Sequence, residues 1–270
     1  MTMTAAVSYL FVPGNRPERF DKACAAGADV VIIDLEDAVP PEEKDAARAA
    51  IANWLDQSKP VALRINSADS SWFEADLALC AHAGVSAVVL PKAATVEELA
   101  RVRAAGAKSL LPLIESAAGF AHAAALASAS GVERLLFGSI DFCVDLGIEA
   151  EDRELDYFRS QLVLVSRLAG IASPVDGVTT AIEDSSLLHS ESLRGKRFGF
   201  GGKLCIHPKQ LAGVHAAYLP QPEEVSWAQR VLAAADAAKG AAVAVDGKMV
   251  DRPVIMKAER IMQQASRPAR

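Results

Sequence analysis

The sequence predicts a (β/α)8 TIM barrel that carries a short C-terminal helix–hairpin–helix lid. Three observations lead there. Eight short apolar runs alternate with Ala-rich stretches at the spacing of βα units. A polar or charged residue stands at the carboxyl end of every run, where a barrel keeps its working face. No dinucleotide fingerprint accompanies the alternation, which sets a doubly wound sheet aside.

The predicted strands are Tyr9–Val12, Val30–Leu35, Val61–Ile65, Ala87–Leu90, Leu110–Ile114, Leu135–Phe137, Ser173–Val175 and Lys203–Ile206. They read as continuous apolar runs, the pattern of parallel strands buried on both faces. Helices are expected over Arg16–Ala26, Pro41–Trp54, Ser71–Ala83, Val96–Ala105, Gly119–Ala129 and Leu155–Ala169. Gly27, Gly84, Gly106, Gly131 and Gly170 each fall just past a helix, where a C-terminal glycine belongs. The rhythm changes at Pro220-Gln221-Pro222. Beyond it the sequence predicts a helix over Glu223–Lys239 and a hairpin of Ala241–Val245 and Lys248–Val250 turning on Asp246-Gly247. A last helix opens at Pro253 and runs to about Ala265, and the final Arg-Pro-Ala-Arg is expected to fray. The organisation is thus a catalytic barrel over 1–222 and a lid or oligomerisation segment over 223–270.

The chain has 270 residues and is 51% hydrophobic, enough for one large core. Its formal net charge of -6 argues against general nucleic-acid binding, which needs a basic footprint. Cys24, Cys80, Cys143 and Cys205 form no C-x-x-C pair and read as small buried hydrophobes in a reducing compartment. No apolar run approaches the ~20 residues that span a bilayer, and no signal-peptide pattern opens the chain. A cytoplasmic protein with no membrane partner is the expectation.

The strand ends supply the candidate chemistry. They present Pro13-Gly14-Asn15-Arg16, then Asp34, Glu36 and Asp37, then Arg64 and Asn66, Lys92, Glu115, Ser139 and Asp141, Asp176, and His207. Glu115 and Asp141 end adjacent strands and can share one Mg2+, which needs only one or two carboxylates beside water and substrate oxygens. The alternative is that Asp141 caps a helix and Glu115 pairs with an arginine. Arg64 is placed to clamp a carboxylate or a developing oxyanion in two-point fashion, or to neutralise Glu36 or Asp37. Lys92 could form a Schiff base, although a structural ion pair is the more ordinary role. His207 is either a base or a hydrogen-bonded closure of the barrel. Gly199-Phe200-Gly201-Gly202-Lys203 fails as a phosphate loop, because Leu204 follows the lysine and the loop precedes a strand. Asp251 is either a functional acid or the N-cap of the last helix.

These motifs, in this order, resemble the HpcH/HpaI aldolase and citrate lyase superfamily, within it the stand-alone citrate lyase beta-subunit-like proteins. The resemblance rests on Leu10-Phe11-Val12-Pro13-Gly14-Asn15-Arg16-Pro17-Glu18-Arg19-Phe20, Asp34-Leu35-Glu36-Asp37-Ala38-Val39, Arg64-Ile65-Asn66, Leu90-Pro91-Lys92, Ile114-Glu115-Ser116, Ile206-His207-Pro208-Lys209-Gln210 and Gly247-Lys248-Met249-Val250-Asp251. It implies Mg2+ on Glu115 and Asp141, a keto acid on Arg64, and coenzyme A as part of the substrate. It also implies a homotrimer or hexamer in which Asp251 enters a neighbouring subunit's site. Arg64, Asp251, Glu36 and Asp37 are then the catalytic candidates, with Arg64, Glu115, Arg16, Pro13, Gly14 and Lys92 on the substrate. The implied reaction is cleavage or formation of a short 3-hydroxyacyl-CoA, such as citramalyl-CoA or malyl-CoA. Thioester hydrolysis, a CoA-independent keto-acid aldolase and an accessory lyase subunit are the rival readings. Two positions depart from the family pattern, Val7 before Ser8 and Ile140 before Asp141, and both bear on the substrate.

Overall fold

All eight apolar runs form strands in the computed structural model, which describes residues 5–149, 152–238 and 243–266. The strands are β1 (Ser8–Pro13), β2 (Val30–Asp34), β3 (Val61–Arg64), β4 (Val85–Leu90), β5 (Leu110–Ile114), β6 (Leu136–Phe137), β7 (Val175–Asp176) and β8 (Gly202–Cys205). Each pairs in parallel with the next, and β8 returns to β1 to close the barrel. One buried cluster draws on all eight strands, including Tyr9, Ile32, Ala62, Val89, Leu111 and Leu136. That cluster is the filled barrel interior; the hydrophobic effect acts on it from every strand at once.

The helices of the barrel are α1 (Phe20–Ala25), α2 (Lys44–Trp54), α3 (Phe73–Leu77), α4 (Val96–Ala104), α5 (Ala117–Ala121), α6 (Ala123–Ala127), α7 (Ser139–Leu146), α8 (Asp156–Leu168), α9 (Ser185–Phe198) and α10 (Leu211–Tyr218). Several of the predicted helices are shorter or broken; a 3-10 turn at Pro41–Glu43 precedes α2. A 3-10 turn at Pro17–Arg19 precedes α1. The 71–83 stretch keeps only α3, and its Asp76 is buried as an acceptor for the Asn66 backbone and side chain. The 119–129 stretch splits at His122, whose Nδ1 lies 2.8 Å from the Ala94 carbonyl oxygen. Helices α7, α9 and α10 go beyond the sequence reading. Gly84 does not cap a helix with a positive φ as Gly27, Gly106, Gly131 and Gly170 do. Instead a Cβ at Gly84 would meet the Asp56 carbonyl oxygen at 2.9 Å, so close backbone approach requires the glycine.

Residues Met1–His215 and Ala216–Arg270 are separate compact units. The second holds α11 (Pro222–Ala238), a hairpin of β9 (Val243–Val245) and β10 (Lys248–Val250), and α12 (Arg252–Ala265). Asp246 and Gly247 take φ of 53° and 73°, the doubly left-handed turn that matches strand twist. Ala228, Val231, Val250, Ala258 and Ile261 form this unit's own core. Lys239, Ala241 and the 267–270 tail lie outside the described residues. Among the described residues no helix is long and apolar enough to cross a membrane.

Leu111 is fully buried in the barrel interior, whereas Leu168 on α8 is 77% exposed. Leu111→Ala is expected to lower unfolding stability by about 2–5 kcal/mol, and Leu168→Ala to change it by less than about 0.5 kcal/mol, measured by chemical denaturation.

Candidate active site

Asp34 and Arg64 are register partners at the carboxyl ends of β2 and β3. Their side chains form a two-point fork: Arg64 Nε donates to Asp34 Oδ1 and Nη2 to Oδ2, both at 2.6 Å. Both are buried. Such a planar fork fixes the guanidinium in orientation as well as position. Its remaining edge is the Nη1 side, which donates to Asp37 Oδ2 at 3.4 Å and lies 3.0 Å from Glu36 Oε2. The Glu36 contact is an ion pair without hydrogen-bond alignment. The guanidinium also stacks 4.8 Å from the centroid of the Phe11 ring. Burial disfavours its charge, yet Asp34, Glu36 and Asp37 outweigh that and hold it protonated more firmly than a free arginine.

The acid loop after β2 is pinned from below. Lys44 Nζ, buried at the start of α2, donates to the carbonyl oxygens of Leu35 and Glu36 at 2.7 and 2.9 Å and to Asn66 Oδ1 at 2.7 Å. Asn66 in turn rests on Asp76, which Arg48 holds at 2.8 Å. Asp34 also accepts from the backbone N–H of Glu36 and of Ala38. Asp34, one of the strand-end candidates, acts as a positioning residue; Lys44 and Asp76 are the positioning residues that sequence reasoning missed. Only Asp34 left a signal, as the last residue of a strand beside another strand ending in arginine.

Glu115 directly follows β5 and is 3% exposed. Lys92 N–H donates to its Oε1 at 2.7 Å, from a residue held at a φ of 50°. Its Oε2 lies over Gly138, where a Cβ would come within 2.6 Å. Burial first, then the Glu36 and Asp141 carboxylates, push Glu115 up to about 8. Asp141 lies in the first turn of α7 and not at its cap, which is Gly138. Among the described residues it makes no hydrogen bond or ion pair, so the capping alternative fails. Glu115 pairs with no arginine directly.

Asp34, Asp37, Arg64, Glu115 and Asp141 share one cavity of about 370 Å³, with Pro13 also on its wall. Glu36 sits behind the guanidinium, and its burial before other causes raises its carboxyl. Lys92 Nζ lies 3.0 Å from Glu36 Oε1; burial works against its charge, but the Glu36 bond prevails and raises its pKa. That is the ion-pair role, not a free amine for a Schiff base. Gly14 closes the loop by donating its N–H to the Asp34 carbonyl oxygen at 2.7 Å. Arg16 is half-exposed, paired with Glu18 at 2.6 Å and off the cavity wall. His207 caps the turn Pro208–Gln210, accepting the Lys209 N–H at 3.1 Å. Asp176 is tied to Arg159. In the second unit, Asp251 caps α12 by accepting the Val254 N–H at 3.3 Å and is exposed.

Two carboxylates on one cavity, one of them strained toward protonation, fit a hard divalent cation. Among the described residues no three His, Cys, Asp or Glu side chains gather as a closed metal cage. An open pair suits Mg2+, which keeps water and substrate oxygens.

A model of the HpcH/HpaI aldolase/citrate lyase family matches residues 7–208. The chain belongs to this family. A second model, for a C–C bond lyase of the TIM-barrel fold, matches residues 155–267, and the family member described here is a lyase-type enzyme. A citrate lyase subunit beta-like protein of Mycobacterium tuberculosis is 37% identical, with 97% of this chain and 96% of the relative covered. A (3S)-malyl-CoA thioesterase of Cereibacter sphaeroides is 34% identical, covering 96% and 94%. The crystal structure of CitE from Mycobacterium tuberculosis with magnesium, acetoacetate and coenzyme A superposes with a TM-score of 0.88 at 35% identity, over 98% of this chain and 100% of that one.

Two outcomes follow from this geometry. Mg2+ uptake is expected to displace the proton that Glu115 carries below about pH 8. Calorimetry at pH 7 in buffers of different ionisation enthalpy should therefore show close to one proton released, and Glu115→Gln should abolish that release. Arg64→Lys keeps the charge but loses the fork, so kcat/KM is expected to fall by at least about 100-fold in steady-state assays. Near-normal kcat/KM would leave Arg64 as a simple charge partner.

Proposed function

We propose that this enzyme is a Mg2+-dependent carbon–carbon lyase that cleaves, or forms, a short 3-hydroxyacyl-CoA such as citramalyl-CoA or malyl-CoA. The other side of the reaction is acetyl-CoA and a 2-keto acid. The observation that carries the reading is one cavity bearing both an open carboxylate pair, Glu115 and Asp141, and an arginine already aimed by Asp34. A 2-keto acid offers complementary groups: a carboxylate for the arginine edge and adjacent oxygens for a metal.

In the cleavage direction the C3 hydroxyl gives its proton to solvent water and the C2–C3 bond breaks. Its electron pair passes to C2, giving the enolate of acetyl-CoA, which then takes a proton at C2. Arg64 binds the carboxylate of the acid half through its Nη edge and stabilises the oxygen that becomes the keto group. Glu36 and Asp37 keep that guanidinium charged and in place. Glu115 and Asp141 would hold Mg2+, which supplies Lewis-acid stabilisation of the same oxygen when bound. Asp251 is the proton donor to C2, delivered from a neighbouring copy in a trimer or hexamer. In its own chain its single cap bond is long and exposed, which makes it cheap to exchange.

Hydrolysis of the thioester is the second reading, favoured by the (3S)-malyl-CoA thioesterase relative. A panel of acyl-CoA esters with Mg2+ separates the two. Acetyl-CoA with a keto acid supports the lyase, free CoA with the intact hydroxy acid supports the thioesterase, and turnover of free hydroxy-keto acids alone would sink both.

The lid role has its own test. Asp251→Asn is expected to bind Mg2+ and keto acid normally yet lose catalysis. Mixing it with inactive Arg64→Lys and allowing subunits to exchange should restore part of the activity, because some sites then combine intact residues from two chains. Demonstrated exchange with no recovery would place Asp251 outside the neighbouring site.

A further inference from the structure

Outside the active-site cavity, the barrel wall between β7, β8, α8 and α9 is unusually charged. Arg159 on α8 is 6% exposed and donates through Nε to Asp176 Oδ1 at 3.2 Å. Asp176 Oδ1 also accepts the Gly177 N–H at 3.0 Å, and the Gly177 carbonyl oxygen accepts Lys203 Nζ at 2.9 Å. The backbone of Gly177 is therefore gripped on both sides. Space for Asp176 is made by Gly195 on α9, where a Cβ would sit 2.7 Å from Asp176 Oδ2.

Gly177 approaches the active site most closely at Ser139. A Cβ there would collide with Ser139 Oγ, and Ser139 is the first residue of α7, two before Asp141. Ser139 lines the active-site cavity and also a polar chamber of about 20 Å³, the size of one water, that Arg159, Asp176, Gly177 and Lys203 share. Arg159 Nη1 is buried and without a hydrogen-bond partner among the described residues. A buried guanidinium with one donor unused is retained at a cost that simple packing does not require.

We propose that Arg159 is a positioning residue for Asp141. It fixes Asp176, Asp176 fixes Gly177, and Gly177 sets Ser139 and with it the first turn of α7. The chain of contacts matters because a helix start moves as a unit: a shift at Ser139 carries Asp141 with it. Mg2+ tolerates little departure from octahedral geometry, so its affinity reports that placement. The inference rests on the reading of Asp141 as a Mg2+ ligand.

The test measures Mg2+ dissociation constants by calorimetry without substrate, with thermal melts for folding. The variants are Gly177→Ala, Gly177→Ala with Ser139→Ala, Arg159→Lys and Asp141→Asn. Gly177→Ala is expected to weaken Mg2+ binding about 10- to 100-fold, the range for residues one layer behind metal ligands. Removing the Ser139 hydroxyl beside it relieves the collision, so the double variant should recover most of the loss. Arg159→Lys should also weaken Mg2+ binding, and it carries the decision if Gly177→Ala fails to fold. A purely structural ion pair would lower the melting temperature and leave Mg2+ affinity alone. The proposal is overturned if folded Gly177→Ala and Arg159→Lys bind Mg2+ within about twofold of wild type while Asp141→Asn does not. Wild-type affinity in Asp141→Asn would instead remove the ligand assignment itself, and this proposal with it.

Discussion

The fork between Asp34 and Arg64 is the constraint on which the rest of the mouth depends. It joins two neighbouring strand ends at 2.6 Å through both oxygens, inside the protein. Removing one partner of such a buried pair costs about 3–5 kcal/mol, because the other charge is stranded. The fork settles which edge of the guanidinium faces the cavity. It also draws the Glu36–Ala38 backbone onto the Asp34 carboxylate. Lys44 then ties that loop to the end of β3 without adding a carboxylate contact of its own.

Charge at the mouth is deliberately uneven. Asp34, Glu36, Asp37, Glu115 and Asp141 are five acids; Lys44, Arg64 and Lys92 are three bases. The surplus does not fall on the acids equally. Asp34 is saturated by the fork and by backbone donors, and Glu36 lies between Arg64 and Lys92. The strain collects on Glu115, which has one backbone donor, and on Asp141, which has none. On the proposed assignment, a divalent cation held by Glu115 and Asp141 would carry the two positive charges that the protein leaves out.

The barrel itself was legible because its strands are buried on both faces, and burial writes a continuous apolar run into the sequence. Helix boundaries were less so. The pattern of 119–129 is that of one helix, and only the distant Ala94 carbonyl meeting His122 accompanies the break. Helix α7 begins with Ser139, Ile140 and Asp141, residues that read as a loop end, so it was missed with α9 and α10. At the site, the residues that face the cavity were legible from their place at strand ends. Asp34 was read as one acid among three, yet it is the one that aims Arg64. Lys44 and Asp76 lie within helices and act through backbone and amide groups, which leave no compositional trace. Arg16 lies in a conspicuous motif, and its side chain pairs with Glu18 at the surface, off the cavity wall.

The far end of the barrel is closed. Arg134, 1% exposed, lies across it and donates to the carbonyl oxygens of Ala6 and Ser173 and to the Tyr9 hydroxyl at 2.6, 2.7 and 2.9 Å. The barrel is therefore a well closed at its amino end. In such a well, molecules leave in the reverse order of their depth. On the proposed reaction, a bulky thioester half held toward the opening would have to depart before a small acid bound on Arg64. Traffic through the enzyme would then be ordered by shape, with the small acid first to enter in the synthetic direction and last to leave in the cleaving one.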